Sequence, residues 1–110
     1  MSSENIKINV AQDFSSHPYG RYPDDGDSCG EIFREKLLKP ALEKSDHVMV
    51  VLDGVAGYGS SFLDEVFGGI VRDGTLSARD FTARISIISD DDTSLIEEVN
   101  DYVQDATGED

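Results

Sequence analysis

His47-Val48-Met49-Val50-Val51-Leu52 runs into Asp53-Gly54-Val55-Ala56-Gly57-Tyr58-Gly59, and that loop opens onto Ser60-Ser61-Phe62-Leu63-Asp64-Glu65. The first segment is a continuous apolar run rich in β-branched residues. Its pattern predicts a strand buried on both faces, as in a parallel sheet. From Ser60 or Ser61 onward, Phe62, Leu63, Val66, Phe67, Ile70 and Val71 recur at helical spacing, and Gly74 stands where a helix C′ residue belongs. The glycine-rich loop therefore joins the carboxyl end of a strand to the start of a helix, where open α/β sheets gather ligands and partners. Inside that helix Gly68-Gly69 costs about 1 kcal/mol per glycine in propensity, so the pair predicts close packing.

Outward from this centre the chain alternates strand and helix signals. Ile6, Ile8 and Val10 alternate with Lys7 and Asn9, a half-buried first strand. From Asp13 to Gly30 Pro, Gly, Ser and Asp dominate, which is turn chemistry, with Tyr19, Arg21 and Tyr22 as a candidate short strand inside it. Ser28 with Glu31 has capping-box spacing ahead of a helix lined by Ile32, Phe33, Leu37, Leu38, Ala41 and Leu42. Pro40 predicts a kink or break in that helix, which ends near Lys44-Ser45. Downstream, Ala83, Ile85 and Ile87 read as a third strand. Asp90-Asp91-Asp92 turns the chain, and Ser94 with Glu97 caps a last helix lined by Leu95, Val99, Tyr102 and Ala106. The order is βαβαβα: an α/β fold with a mixed, mostly parallel sheet packed by about three helices. The 110 residues suit a single domain, 1–110, with residues 1–5 and 107–110 as flexible ends.

Charge narrows the function classes. Nine Lys and Arg stand against 23 Asp and Glu, a formal net charge of −14. Nucleic-acid binding runs on phosphate neutralisation by cations, so it is disfavoured, and an anionic membrane surface repels the chain. Asp outnumbers Glu, and the lysines are Lys7, Lys36, Lys39 and Lys44. That bias fits either a surface adapted to high salt or an acidic face built for a basic partner, up to mimicry of a nucleic-acid backbone. No apolar run is long enough for a membrane span, and the first residues lack the basic and apolar regions of a secretory signal. The expectation is a cytoplasmic protein. Cys29 is the one cysteine, so neither an internal disulfide nor a multi-cysteine zinc site is available.

Catalytic motifs fail one by one. Gly57-Tyr58-Gly59 opens like a dinucleotide fingerprint, but Phe62 replaces its third glycine. The loop lacks the Lys-Ser/Thr pair of a phosphate-binding P-loop, and Gly59-Ser60-Ser61-Phe62-Leu63 misses the last glycine of a nucleophile elbow. His17 and His47 belong to no legible triad. Asp53 ends a strand, as a phospho-accepting aspartate would, yet no acidic pair follows the first strand, so a turn or capping role is the plainer one. The runs Asp24-Asp25-Gly26-Asp27 and Asp90–Asp92 lack the ligand spacing of a calcium loop and read as solvated turns. No cofactor is expected.

The strand Val48–Asp53, its loop and the Ser60-Ser61 pair at a helix start resemble the signature of STAS domains, the anti-sigma-factor antagonist family. Closer still is the resemblance to small stand-alone STAS-like domains of unknown function. It rests on Gly57-Tyr58-Gly59-Ser60-Ser61-Phe62-Leu63-Asp64-Glu65, on Phe67-Gly68-Gly69, on Arg21 and on Gly30-x-x-Phe33-Arg34. It runs from Ile6 to about Ala106. The chain departs from the STAS pattern at Gly59, where that family has Asp, and at Phe62, where it has Gly. STAS domains also usually add a further strand and helix.

The resemblance implies a non-enzymatic regulatory module that docks on a GHKL-type ATPase or serine kinase, with Ser60, or its neighbour Ser61, as the phosphorylated residue. The expected contact surface runs from Gly54 to Glu65 and comprises Asp53, Gly57, Tyr58, Gly59, Ser60, Ser61, Phe62, Asp64 and Glu65. Tyr58 and Phe62 would be interface anchors if exposed. Arg21 is expected to reach Asp53 or a bound anion, or to order its own loop. The alternative is an acidic decoy that blocks a basic, nucleic-acid-binding surface on a partner. Nothing in the sequence sets the oligomeric state.

Overall fold

The computed structural model describes residues 5–108. Three parallel strands, β1 (Asn5–Asn9), β2 (His47–Val51) and β3 (Ile85–Ile88), form one sheet in the order β1-β2-β3. The sheet is wholly parallel, so the mixed character anticipated from the sequence is not seen in the described strands. Helix α1 is a continuous rod of an α-turn (Gly30–Phe33), a π-turn (Arg34–Leu38) and a second α-turn (Lys39–Lys44). Helix α2 is built the same way from Ser60–Leu63, the π-turn Asp64–Gly68, and Gly69–Arg72. A π-turn (Val10–Phe14) that takes Val10 out of the expected first strand, a 3₁₀ turn (Pro23–Asp25), a short α3 (Ala78–Arg84) and a longer α4 (Ser94–Ala106) complete the described fold.

A parallel sheet whose spatial order follows the chain, wound by right-handed crossovers, carries its crossover helices on one face. Burial along β2 agrees. Val48 and Val50 are fully buried, while His47, Met49 and Val51 are half-buried. The expectation that β2 is covered on both faces is therefore corrected: no reversal of strand order sends a helix to the second face. On the covered face Ile6, Val48 and Ile85 stand in register, as do Ile8, Val50 and Ile87. They meet Phe33, Leu38, Phe62, Leu63, Phe67, Phe81, Val99 and Val103 in one core.

Local chemistry differs from expectation at the helix starts. The first free N–H groups of α1 are satisfied by the long loop, Gly30 donating to Gly20 O and Glu31 to Arg21 O, each at 2.9 Å. Cys29, not Ser28, is the N-cap residue. Asp92 supplies the cap for α4: its Oδ1 accepts from the Ser94 N–H at 3.1 Å, so Ser94 lies inside the first turn. Pro40 does not break α1, because the π-turn just before it shifts the pairing so that the Lys39 N–H donates to Arg34 O. Helix α3 occupies residues expected to begin β3; Ser77 caps it by accepting from the Asp80 N–H at 3.0 Å. Arg21 and Tyr22 form bends and Tyr19 lies in irregular chain, so no strand forms there. Of the ends expected to be flexible, Asn5 opens β1 and Thr107 caps α4. Residues 1–4, 109 and 110 lie outside the described residues.

Candidate functional site

Two loops meet where the sheet ends. Asp53 Oδ1 accepts from the Asp91 N–H at 2.8 Å, and Asp91 Oδ2 accepts from the Gly54 N–H at 3.2 Å. This reciprocal pair ties the exits of β2 and β3 together. Gly54 adopts a φ of 91°, which an L side chain resists, so glycine is required at this turn. The loop then folds back: the Tyr58 hydroxyl donates to Leu52 O at 2.8 Å and its ring lies 6.0 Å from that of Phe62. Burial, aided by the charge of Asp53, raises the Tyr58 hydroxyl above its ordinary pKa. Tyr58 is thus a strut, holding its phenol protonated throughout the physiological range.

Gly59, extended at φ −77° and ψ 146°, is the N-cap of α2, and Ser60 and Ser61 are its first two helical residues. No side chain caps the start of α2, and the Asp64 carboxylate is held instead by Arg21 and Arg72. Ser60 is exposed and Ser61 half-buried. Ser60 also reaches the Tyr102 hydroxyl, whose pKa is pushed up to about 12 by desolvation and by its hydrogen bond to Glu98, with Ser60 pulling the other way. Phe62, an anchor only if exposed, is 1% exposed and packs in the core. Tyr19 and Tyr22 are the exposed aromatics, at 69% and 50%. With Arg21, Asp25, Gly59, Ser60 and Ser61 they line a hollow of about 350 Å³ over the start of α2.

Beside it lies a ladder of ion pairs. Arg21 contacts Asp64 at 2.7 Å and Glu65 at 3.8 Å, and Arg72 contacts Asp64 at 3.0 Å. Arg34 donates at 2.7 Å to both the Glu65 carboxylate and the Glu65 backbone oxygen. Lys39 bridges Glu35 at 2.8 Å and Asp73 at 2.9 Å. The central pair, Arg34 and Glu65, is buried. It sits where both helices carry a π-turn, a local widening often found where a helix accommodates a special group. Burial works against the Asp64 carboxylate, but hydrogen bonds from Arg21 and Arg72 outweigh it and hold its pKa below the usual range. A Cβ on Gly69 would stand 2.5 Å from Arg34 Nη1, and one on Gly68 2.5 Å from Asp64 Oδ1. The glycine pair does mark close packing, but chiefly against charged side chains.

The expected contact set therefore divides. Gly57, Gly59 and Ser60 are exposed and Ser61 partly so, while Asp53, Tyr58 and Asp64 are half-buried and hydrogen-bonded within the fold. Phe62 and Glu65 are buried, Phe62 in the core and Glu65 against Arg34, so neither stands out as a contact residue. Arg21 reaches neither Asp53 nor the sheet edge; it pins its own loop to Asp64. Tyr19 and Tyr22, a candidate short strand from the sequence, are surface residues, and two tyrosines within a Pro-, Gly- and Asp-rich turn carry that signal.

The remaining chemistry is structural. His47 Nε2 lies 2.7 Å from Ser86 Oγ, but no strand carries an acid to orient the ring. Asp25 accepts from the Arg21 and Tyr22 N–H groups, as a turn aspartate does. Among the described residues no group of His, Cys, Asp and Glu is arranged to hold a metal ion, and no helix is long and apolar enough to cross a membrane.

Comparison with known proteins adds one finding. No curated protein and no solved structure matches the chain. The family model described as a STAS-like domain of unknown function (DUF4325) matches residues 29–95, from the N-cap of α1 through β2, the serine corner, α2 and β3 into the first turn of α4. With that span covering more than half of the chain and holding β2, β3 and the Ser60-Ser61 corner, the chain belongs to the family of STAS-like domains of unknown function.

Proposed function

We propose that this STAS-like domain is a non-enzymatic regulatory module that binds a protein partner through the corner formed by Tyr19, Tyr22, Gly57, Gly59, Ser60 and Ser61. The observation that carries the reading is the exposed Ser60 in the first turn of α2, flanked by the two most exposed aromatic side chains of the described residues. Exposed tyrosines beside small polar groups are what interface hot spots are made of. The resemblance to STAS domains supplies the partner class, a GHKL-type ATPase or serine kinase, and nominates Ser60 for phosphorylation.

Physical chemistry supports a switch at this position. A phosphate on Ser60 would meet the free N–H groups and positive dipole end of α2. It would also crowd Glu98 and Asp64, which already surround the Ser60–Tyr102 contact. Arg21 lines the same hollow and would have to leave Asp64 to neutralise the added charge. Modification would thus loosen the loop that carries both tyrosines.

The test is phosphate mapping by mass spectrometry after incubation with ATP and extract, with capture of the partner on wild-type, Ser60→Glu and Tyr22→Ala baits. Phosphate on Ser60 and loss of capture in both variants support the reading. Capture that survives both, and falls instead when Glu97, Asp101 and Asp105 on the exposed acidic side of α4 are neutralised, replaces it with the acidic-decoy function.

A further inference from the structure

Strand β1 is an open edge of the sheet, since it pairs with β2 alone. Alternate residues of a strand aim their backbone groups at the same side. The Asn9 N–H donates to Asp13 Oδ2 at 2.7 Å, outside the ladder. Asn5 and Lys7 share its direction, so they turn their N–H and C=O groups away from β2. Among the described residues no backbone group bonds to Lys7 from that side. Such an edge is a template for a further strand.

Positive charge borders this edge on both faces. On the helix side lies a hollow of about 270 Å³, walled by Ile6 and Ile8 of β1 and Leu37 and Pro40 of α1 and flanked by Lys36 and Lys44. Lys7 stands on the opposite face, because neighbours along a strand alternate. Three of the four lysines of a −14 chain therefore gather at one edge, and all three are exposed. Lys39, the fourth, bridges Glu35 and Asp73. Among the described residues no acid lies within ion-pair distance of Lys7, Lys36 or Lys44. Asp13 is the one acid lining the hollow, and it is engaged by the Asn9 N–H.

Charge selects what can pair there. A second copy is disfavoured: two β1 edges joined antiparallel about a two-fold axis through their middle residue set Lys7 opposite Lys7, and like charges so placed destabilise a sheet. A basic strand meets three cations. An acidic strand meets three ammonium groups that no carboxylate has claimed. The charge of the whole molecule is screened beyond roughly 8 Å at physiological salt, so the groups bordering the edge decide, and these are three lysines against Asp13. We infer that the β1 edge binds an extended acidic segment of a partner protein, which adds a fourth strand to the sheet. Its main chain pairs with Asn5 and Lys7, its carboxylates face Lys7, Lys36 and Lys44, and an apolar side chain enters the hollow. This site is separate from the serine corner and does not rest on the function assigned to it.

Fluorescence anisotropy with labelled, end-blocked peptides of about eight residues tests this. The peptides are an alternating Val-Glu sequence, an alternating Val-Lys sequence, and the Val-Glu sequence interrupted by Pro-Pro, which keeps its charge but cannot lie in a ladder. The Val-Glu peptide should bind at least about tenfold more tightly than either control, and more weakly as NaCl rises from about 0.05 to about 0.5 M. Exchange of the Lys7 amide, followed by NMR, should slow when it binds. The double variant Lys36→Glu/Lys44→Glu, at two exposed positions of α1, should lose at least about tenfold in affinity. Ser60→Glu should leave the affinity unchanged, which separates this edge from the serine corner. The three peptides compared on the wild-type protein decide the matter if the double variant fails to fold. No binding of the Val-Glu peptide up to about 1 mM, equal binding of the Pro-Pro peptide, preference for the Val-Lys peptide, or an unchanged Lys7 amide overturns the inference.

Discussion

Replacing Arg34 by Met removes one side of the buried pair that joins α1 to α2. Its guanidinium is 10% exposed and the Glu65 carboxylate 9%, so the survivor is stranded away from water. Losing one partner of such a pair costs about 3–5 kcal/mol. Here Arg21 at 3.8 Å and Arg72 at 3.9 Å partly stand in for the lost charge, which argues for the lower end, about 3 kcal/mol. For a chain of this size that lowers the melting temperature by about 12–20 °C and the urea midpoint by about 2–3 M. The chain has no tryptophan, so far-UV circular dichroism is the natural probe. The double variant Arg34→Met/Glu65→Leu should regain most of the loss, since an apolar pair of similar volume replaces a buried ion pair at little cost. A residual deficit of about 1 kcal/mol remains, because the Glu65 backbone oxygen also loses its Arg34 donor. A single variant that loses under about 1 kcal/mol, or a double variant whose loss is the sum of the two singles, refutes the argument that the pair acts as a unit.

Gly69→Ala should destabilise by about 1–3 kcal/mol in the same assay despite alanine's better helix propensity, because its Cβ would press on Arg34 Nη1. Phe62→Ala should cost about 3–5 kcal/mol, while Tyr19→Ala and Tyr22→Ala should stay within about 0.5 kcal/mol of wild type, which separates core from surface. Acid should unfold the domain as the ladder is protonated. Glu35 is held below its usual pKa by its hydrogen bond from Lys39; Asp64 and Asp73 are held low by their hydrogen bonds in spite of burial. A depressed folded-state pKa contributes stability that is complete above the unfolded value near 4 and lost as pH falls through the folded one. A pH series of urea midpoints should therefore drop below about pH 4, and Asp64→Asn should start lower and flatten that slope.

The sequence announced the βαβαβα order because β1, α2 and α4 each carry a clear period and β2 is a continuous apolar run, and Gly74 closed α2 as its position suggested, with φ at 86°. What stayed illegible depended on tertiary partners. Continuous apolarity in Val48–Leu52 cannot say whether one face or both are covered; strand order decides that, and it follows the chain. The caps of α1 and α4 were misassigned because carbonyls of a distant loop, and the aspartate two residues before Ser94, outcompeted the nearest serines. Helix α3 was legible in Ser77-Ala78-Arg79-Asp80 as a capping pattern, but its seven residues were too few to show a period. At the site, the exposed Ser60 followed from its place after a glycine loop. Phe62 carried two signals, a place on the apolar stripe of α2 and a place beside the serine pair, and the core position that the stripe implied is the one the structure shows. The ion-pair ladder joins residues as far as 43 positions apart, and no local pattern records it.

The claim on which the functional reading stands is that a partner docks at Tyr19, Tyr22 and Ser60. The most direct measurement is the affinity of that partner, once captured and purified, for wild type, Tyr22→Ala and Ser60→Glu, each first verified as folded. The account expects at least a tenfold loss in both variants, as truncating or charging a central contact produces. Equal affinity for all three proteins contradicts it.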